Sequence, residues 1–118
     1  MAVKWYKLEG INWIEQDNRN YSLAFQKIGS AKICLLKRGD AIDAFQNKCP
    51  HAGGSLSEGW VENDSIVCPV HRHKFDIKNG RETTEQGNCI RIYPVKIIDA
   101  DLFIGLPVSY LNPINWFK

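Results

Sequence analysis

The sequence predicts an all-β fold, and three observations carry that expectation. Short apolar segments recur along the chain, each bounded by Gly, Pro, Asn or Asp. No segment sustains a 3.6-residue apolar period long enough for a full helix. Two stretches rich in Pro and Gly break both the helical and the strand period and read as loops.

Taken in order, Val3 to Leu8 reads as the first strand, and Ile11 to Asp17 fits one helical turn or two. Lys32 to Lys37, with Ile33, Cys34, Leu35 and Leu36, reads as a buried strand. Arg38-Gly39-Asp40 is a tight turn, and Ala41 to Gln46 returns as the hairpin partner. That tripeptide also matches an integrin-recognition motif, but Gly and Asp are ordinary turn residues. From Asn47 to Asn63 the residues Pro50, Gly53, Gly54 and Gly59 predict loop. Ser65 to Cys68 and Lys74 to Ile77 read as short strands, and Asn79-Gly80 as a hairpin turn. Cys89 to Tyr93 and Val95 to Asp99 are strands either side of Pro94, and Asp101 to Leu106 closes a last hairpin through Ala100. The tail from Pro107 to Lys118 carries Tyr110, Leu111, Ile114, Trp116 and Phe117, which are expected to dock on the body.

The 118 residues suit one domain, and 44% hydrophobic content is enough to build a core without disulfide staples. Fifteen basic against 13 acidic residues leave a net charge of +2, with no basic run to argue for nucleic acid. Lys4 and Lys7 interrupt the N-terminus, so no secretory signal is expected, and no stretch approaches the roughly 20 apolar residues of a membrane span. A cytoplasmic location with reduced thiols is the expectation.

Of the four cysteines, two sit in compact motifs with histidine: Cys49-Pro50-His51 and Cys68-Pro69-Val70-His71, with 16 residues between His51 and Cys68. A lone histidine is ordinary; a histidine at short fixed spacing from a cysteine, twice, is a ligand pattern. Two sulfurs and two imidazoles suit structural zinc. They also suit a two-iron, two-sulfide cluster in which two histidines replace two thiolates on one iron. Zinc sites usually pair Cys with Cys and His with His in C-x(2–4)-C and H-x(3–5)-H spacing, whereas each loop here mixes the two ligand types. Cys34, in an apolar strand, and Cys89, at a strand start, are read as structural. Glu58, Glu62 and Asp64 read as solubilising loop charges, and no nucleophile–base pair suggests group transfer.

The run C-P-H-A-G-G-S-L, then C-P-V-H, then K-F-D and N-G resembles the Rieske ferredoxin family over residues 32–106. The resemblance implies an antiparallel β base with an inserted two-loop subdomain, about residues 47–81, that binds a Rieske-type 2Fe–2S cluster. It implies that Cys49 and Cys68 ligate one iron and His51 and His71 the other. It further implies a soluble electron carrier, not itself an enzyme, that serves a reductase and a terminal oxygenase. Alternatives are the small subunit of an NAD(P)H-dependent nitrite reductase, docking on its large subunit, and a metal-stabilised interaction module. A fragment of a larger oxygenase is disfavoured by a chain that stops at Lys118 without a catalytic iron region.

Charge counting gives the histidines their meaning. Two ferric ions, two sulfides and two thiolates sum to zero, so an added electron is accepted more readily than at a four-thiolate site. Respiratory Rieske proteins resemble this pattern but bridge their loops with a second cysteine pair, at positions that are Gly54 and Val70 here. They also carry hydroxyls at positions that are His73 and Phe75 here; Phe75 has no donor, and His73 is a weaker substitute expected to face solvent. Fewer hydrogen bonds to the cluster sulfurs imply a potential of roughly −150 to 0 mV. Arg72 stands where the family usually has Gly, and a positive φ there would strain it by about 1–2 kcal/mol. Arg72, His73 and Lys74 form a small basic cluster, read as a solvated edge or a docking face. His73 also lies near enough in sequence to His71 to be weighed as a competing ligand, a minor reading.

Overall fold

The computed structural model describes residues 3–16, 19–50, 53–70, 72–83 and 87–107. His51 and His71 lie outside the described residues, as does the tail from residue 108 onward, so the docking expected of the tail aromatics falls there too. Among the described residues the architecture is strands and one short 3-10 turn. The strands are β1 (Val3–Leu8), β2 (Ile14–Glu15), β3 (Ser22–Ile28), β4 (Ala31–Arg38), β5 (Ala41–Gln46) and β6 (Trp60–Glu62), followed by β7 (Ser65–Val67), β8 (Lys74–Asp76), β9 (Ile92–Tyr93), β10 (Val95–Ile98) and β11 (Asp101–Pro107). They form three antiparallel sheets, ordered β1-β11-β10, β2-β3-β4-β5-β9 and β6-β7-β8.

The five-stranded sheet is the middle layer, and the period-2 geometry of a strand explains how it serves two cores. In β4, Cys34 and Leu36 face a core shared with β6, β7 and β8, while Ala31, Ile33 and Leu35 face a core shared with β1 and β11. The same split separates Leu23 from Ala24 in β3 and Phe45 from Ala44 in β5. A strand covered on both faces reads as a continuous apolar run, which is why β4 was legible as buried. Side chains such as Phe45 and Phe75, both fully buried, each contribute about 1.5–3 kcal/mol through removal from water.

Three expectations are corrected. The segment 11–16 forms no helical turn; it carries the two-residue edge strand β2, in which Ile14 is exposed and pairs with Leu23. β3 was not anticipated, although it pairs with β4 along its whole length from Ser22–Lys37 to Ile28–Ala31. The predicted loop 47–63 contains a 3-10 turn (Leu56–Glu58) and β6. The other strand expectations hold within a few residues at their ends. The Asn79-Gly80 turn returns the chain through isolated bridges, Phe75 to Glu82 and Arg81 to Cys89, rather than through a full strand. The last hairpin turns on Asp99 and Ala100, both at positive φ (52° and 70°), as a tight two-residue turn requires.

The small sheet is held at two points relevant to the site. Gly59 lies against β7 so closely that a Cβ would fall 1.9 Å from the Val67 carbonyl oxygen, so only glycine fits. Glu62 straps the sheet across its width, accepting from Trp60 Nε1 at 2.6 Å and pairing with Lys74 Nζ at 3.0 Å. The indole hydrogen bond, with the Lys74 charge, holds the Glu62 carboxyl below the usual carboxylate range.

Candidate metal centre

The two cysteine motifs occupy the ends of two hairpin-like loops built on one backbone plan. The pairing of Lys48 with Ser55 closes loop 49–54, and the pairing of Val67 with Lys74 closes loop 68–73. In the first, Cys49 N–H donates to the Gly54 carbonyl at 2.8 Å and Gly53 N–H donates to the Cys49 carbonyl at 2.9 Å. In the second, Cys68 N–H donates to the His73 carbonyl at 2.9 Å and Arg72 N–H donates to the Cys68 carbonyl at 2.9 Å. The loops therefore match at four described positions: Cys49 with Cys68, Pro50 with Pro69, Gly53 with Arg72, and Gly54 with His73. The fifth position of each must enter the left-handed region for its N–H to turn back on the cysteine carbonyl. Gly53 has φ 70° and Arg72 has φ 59°.

The strain anticipated at Arg72 is thus present, and its cause is the loop plan that glycine satisfies at Gly53. Replacing Arg72 with Gly is expected to raise stability by about 1 kcal/mol, and replacing it with Ala to give no such gain. Urea unfolding midpoints check this; an equal gain from Ala would place the effect in the Arg72 charge instead.

Cys49 and Cys68 are both thiols with no exposed surface, and they belong to the same core cluster. The loops approach each other through Gly54. A Cβ on Gly54 would lie 2.6 Å from Val70 Cγ2 and 3.2 Å from Cys68 Sγ, so the missing side chain is what lets loop 49–54 close over the second cysteine. Two buried thiols at equivalent roots of adjoining loops form a donor set that fits a sulfur-ligated cluster spanning both loops. Around them, Gly53 and Val70 are exposed and Pro69 is half-buried, a rim of small side chains with the exposed cations Lys48 and Arg72 beside it.

Two anchoring residues carried no clear signal in the sequence. Asn47 is buried; its N–H donates to the Lys32 carbonyl in β4 at 3.0 Å, and its own carbonyl accepts from Leu56 N–H at 2.7 Å. Its Oδ1 accepts from Ser57 N–H at 2.9 Å, so Asn47 roots the first loop in the middle sheet. The side-chain-to-backbone bonding habit of Asn was the only available hint. Glu82 is buried beside the second loop, with Oε2 at 3.0 Å from His73 Nδ1. His73 accordingly does not stand in solvent as expected: its side chain is 22% exposed and tied to Glu82. Phe75 packs in the core with no donor to offer. Cys34 lies in the apolar core, where burial pushes its thiol well up, and Cys89 is exposed.

The family described as a Rieske [2Fe-2S] domain matches residues 4–94. The chain belongs to that family, and its cofactor is a Rieske-type 2Fe–2S cluster. The chain is 29% identical over 105 residues to the anthranilate 1,2-dioxygenase ferredoxin subunit of Burkholderia cepacia, covering 88% of this chain and 94% of that protein. It is 35% identical over 80 residues to the 3-phenylpropionate/cinnamic acid dioxygenase ferredoxin subunit of Escherichia coli K12, covering 66% of this chain and 76% of that one. Among solved structures, the ferredoxin of carbazole 1,9a-dioxygenase from Nocardioides aromaticivorans IC177 superposes with a TM-score of 0.65 at 24% identity, over 70% of this chain and 82% of that one. A putative NADH-dependent nitrite reductase small subunit from Mycobacterium tuberculosis gives 0.67 at 13% identity, over 91% of this chain and 98% of that one. These two structures bear on the fold alone.

Proposed function

We propose that this protein is a one-electron carrier that takes electrons from a reductase and delivers them to a terminal oxygenase, and is not itself the catalyst. The observation that carries the reading is the match to a dioxygenase ferredoxin subunit along almost the whole length of both chains. Residues 47–81 form the cluster-binding subdomain, and Cys49, His51, Cys68 and His71 hold the cluster. The location is the cytoplasm; among the described residues no helix is long and apolar enough to cross a membrane. The nitrite reductase alternative rests on fold similarity at 13% identity, which does not favour it over the ferredoxin reading.

The bound cluster supplies a centre that accepts and returns a single electron. The chain's own residues set the conditions. Cys49 and Cys68 would hold the cluster as thiolates and supply the compensating charge, from positions with no exposed surface. Gly54 lets the two loops come close, and hydrogen bonds at each cysteine root close the loops at their bases. The rim of Gly53, Pro69 and Val70 is low in bulk, with the cations Lys48 and Arg72 beside it, and lets a partner come close. Such redox encounters typically bury less than about 1,200 Å².

Anaerobic reductive titration is expected to consume one electron per chain with a midpoint of roughly −150 to 0 mV. Uptake of two electrons, or of none, contradicts the carrier; a midpoint above about +150 mV contradicts the hydroxyl-poor assignment of Phe75 and His73.

A further inference from the structure

We propose that Glu82 is a positioning residue for the second cluster loop, acting through His73 to hold Cys68 in place. The proposal rests on the reading of Cys68 as a cluster ligand. Glu82 follows the turn at Gly80 and pairs with Phe75 of β8 through an isolated bridge, so its backbone lies directly against the strand that leaves the loop. Its backbone is fixed from both sides. Glu82 N–H donates to the Asn88 carbonyl at 3.0 Å, and the next residue, Thr83, donates to the Lys74 carbonyl at 2.8 Å. Its side chain has no exposed surface.

A buried carboxylate is unfavourable unless its surroundings hold it, and a well-packed apolar residue in such a place commonly gives equal or better stability. What this carboxylate holds is the loop. Oε2 lies 3.0 Å from His73 Nδ1, and Oε1 lies 3.5 Å from Asn88 Nδ2. The Oε2–Nδ1 hydrogen bond ties the imidazole ring to Glu82 and fixes its orientation. His73 is also the residue whose carbonyl receives the Cys68 N–H at 2.9 Å, closing the loop at its root.

The comparison with the first loop shows why the second needs this anchor. Gly54, the counterpart of His73, has no side chain, and its carbonyl accepts from Cys49 N–H at 2.8 Å; the backbone lies so close to Val70 and Cys68 that a Cβ there would clash. The second loop carries Arg72 at φ 59° immediately before His73, a conformation that biases the backbone toward relaxing away. The His73–Glu82 bond opposes that relaxation from the far side of the hairpin. Outer groups that orient metal ligands change metal retention on the order of 10–100-fold when removed.

The test uses the cluster-loaded protein and the variants Glu82→Ala, Glu82→Gln, His73→Ala and the Glu82→Ala/His73→Ala double. Decay of the visible absorbance under an iron chelator gives cluster lifetime, and the EPR g-values of the reduced protein report the geometry at the irons. Glu82→Ala and His73→Ala are each expected to shorten the lifetime on the order of tenfold and to shift the g-values alike. The double variant should be no worse than either single one, because both remove the same bond. Glu82→Gln keeps an acceptor and should restore the wild-type lifetime and g-values; a Glu82→Ala protein that takes up no cluster while Glu82→Gln does gives the same support. A wild-type lifetime in Glu82→Ala or His73→Ala, additive losses in the double, or a Glu82→Gln protein that behaves as Glu82→Ala overturns the proposal. A wild-type protein without a rhombic signal would instead remove the cluster reading on which it stands.

Discussion

His71→Ala is expected to abolish the Rieske spectrum outright, and His51→Ala to do the same. On the proposed ligand set, each removes one of the two nitrogen donors on the same iron, and no described side chain stands ready to replace it. His73, the nearest imidazole in sequence, has its Nδ1 engaged by Glu82. Absorbance and EPR of the purified variants are the measurement. Normal cluster loading in His71→Ala contradicts the assignment. His73→Ala, by contrast, should keep a Rieske spectrum, although with a shortened lifetime. The contrast between two histidines two positions apart separates a ligand from a residue that supports one.

The second large effect comes from joining the two loops covalently. A Cβ on Gly54 would lie 3.6 Å from Val70 Cβ, within the spacing of about 3.5–4.5 Å that disulfides adopt. Gly54→Cys together with Val70→Cys is therefore expected to close a disulfide without moving the backbone. The single change Gly54→Cys would drive its Cβ against Val70 Cγ2 at 2.6 Å, so the pair must be replaced together. A closed loop of this length, about 15–17 residues, stabilises by about 3 kcal/mol relative to the reduced form. Thiol counts and urea midpoints, before and after reduction, measure it. Two additional titratable thiols after mild oxidation would show that the loops are farther apart than the Gly54–Val70 contact implies.

The parts of this protein that were legible in its sequence are those fixed by local rules. β4 and β5 announced themselves by an apolar run, a Gly-Asp turn and a return strand. The Cys-Pro-His and Cys-Pro-Val-His motifs were legible because metal chemistry restricts residue type and spacing more tightly than packing does. β3 was missed for a physical reason: Leu23 and Ala24 are both buried, one in each core, so the two-residue alternation that marks a strand is hidden. The segment Ile11 to Asp17 fits a helical turn or two, but so short a segment does not distinguish a turn from an edge strand such as β2. β6 is three residues long and follows a glycine whose role, fitting against the Val67 carbonyl, exists only in the folded chain.

The site shows the same division. Its proposed ligand residues are legible in local motifs, whereas its supports are not. Asn47 acts on Ser57 and Lys32, and Glu82 acts on His73 across the hairpin, so neither pairing leaves a periodic trace. The matching backbone plans of loops 49–54 and 68–73 were also hidden, because the histidine is offset by one position between C-x-H and C-x-x-H. That plan turns the departure at Arg72 from an oddity of sequence into a definite conformational demand at a definite place.

The most direct measurement of the central claim is low-temperature EPR of the anaerobically reduced protein, with iron and acid-labile sulfide counted on the same sample. A rhombic signal, with about two irons and two sulfides per chain, is the predicted result. Zinc in place of iron with no signal, or an iron site with the spectrum of four-thiolate ligation, would contradict it.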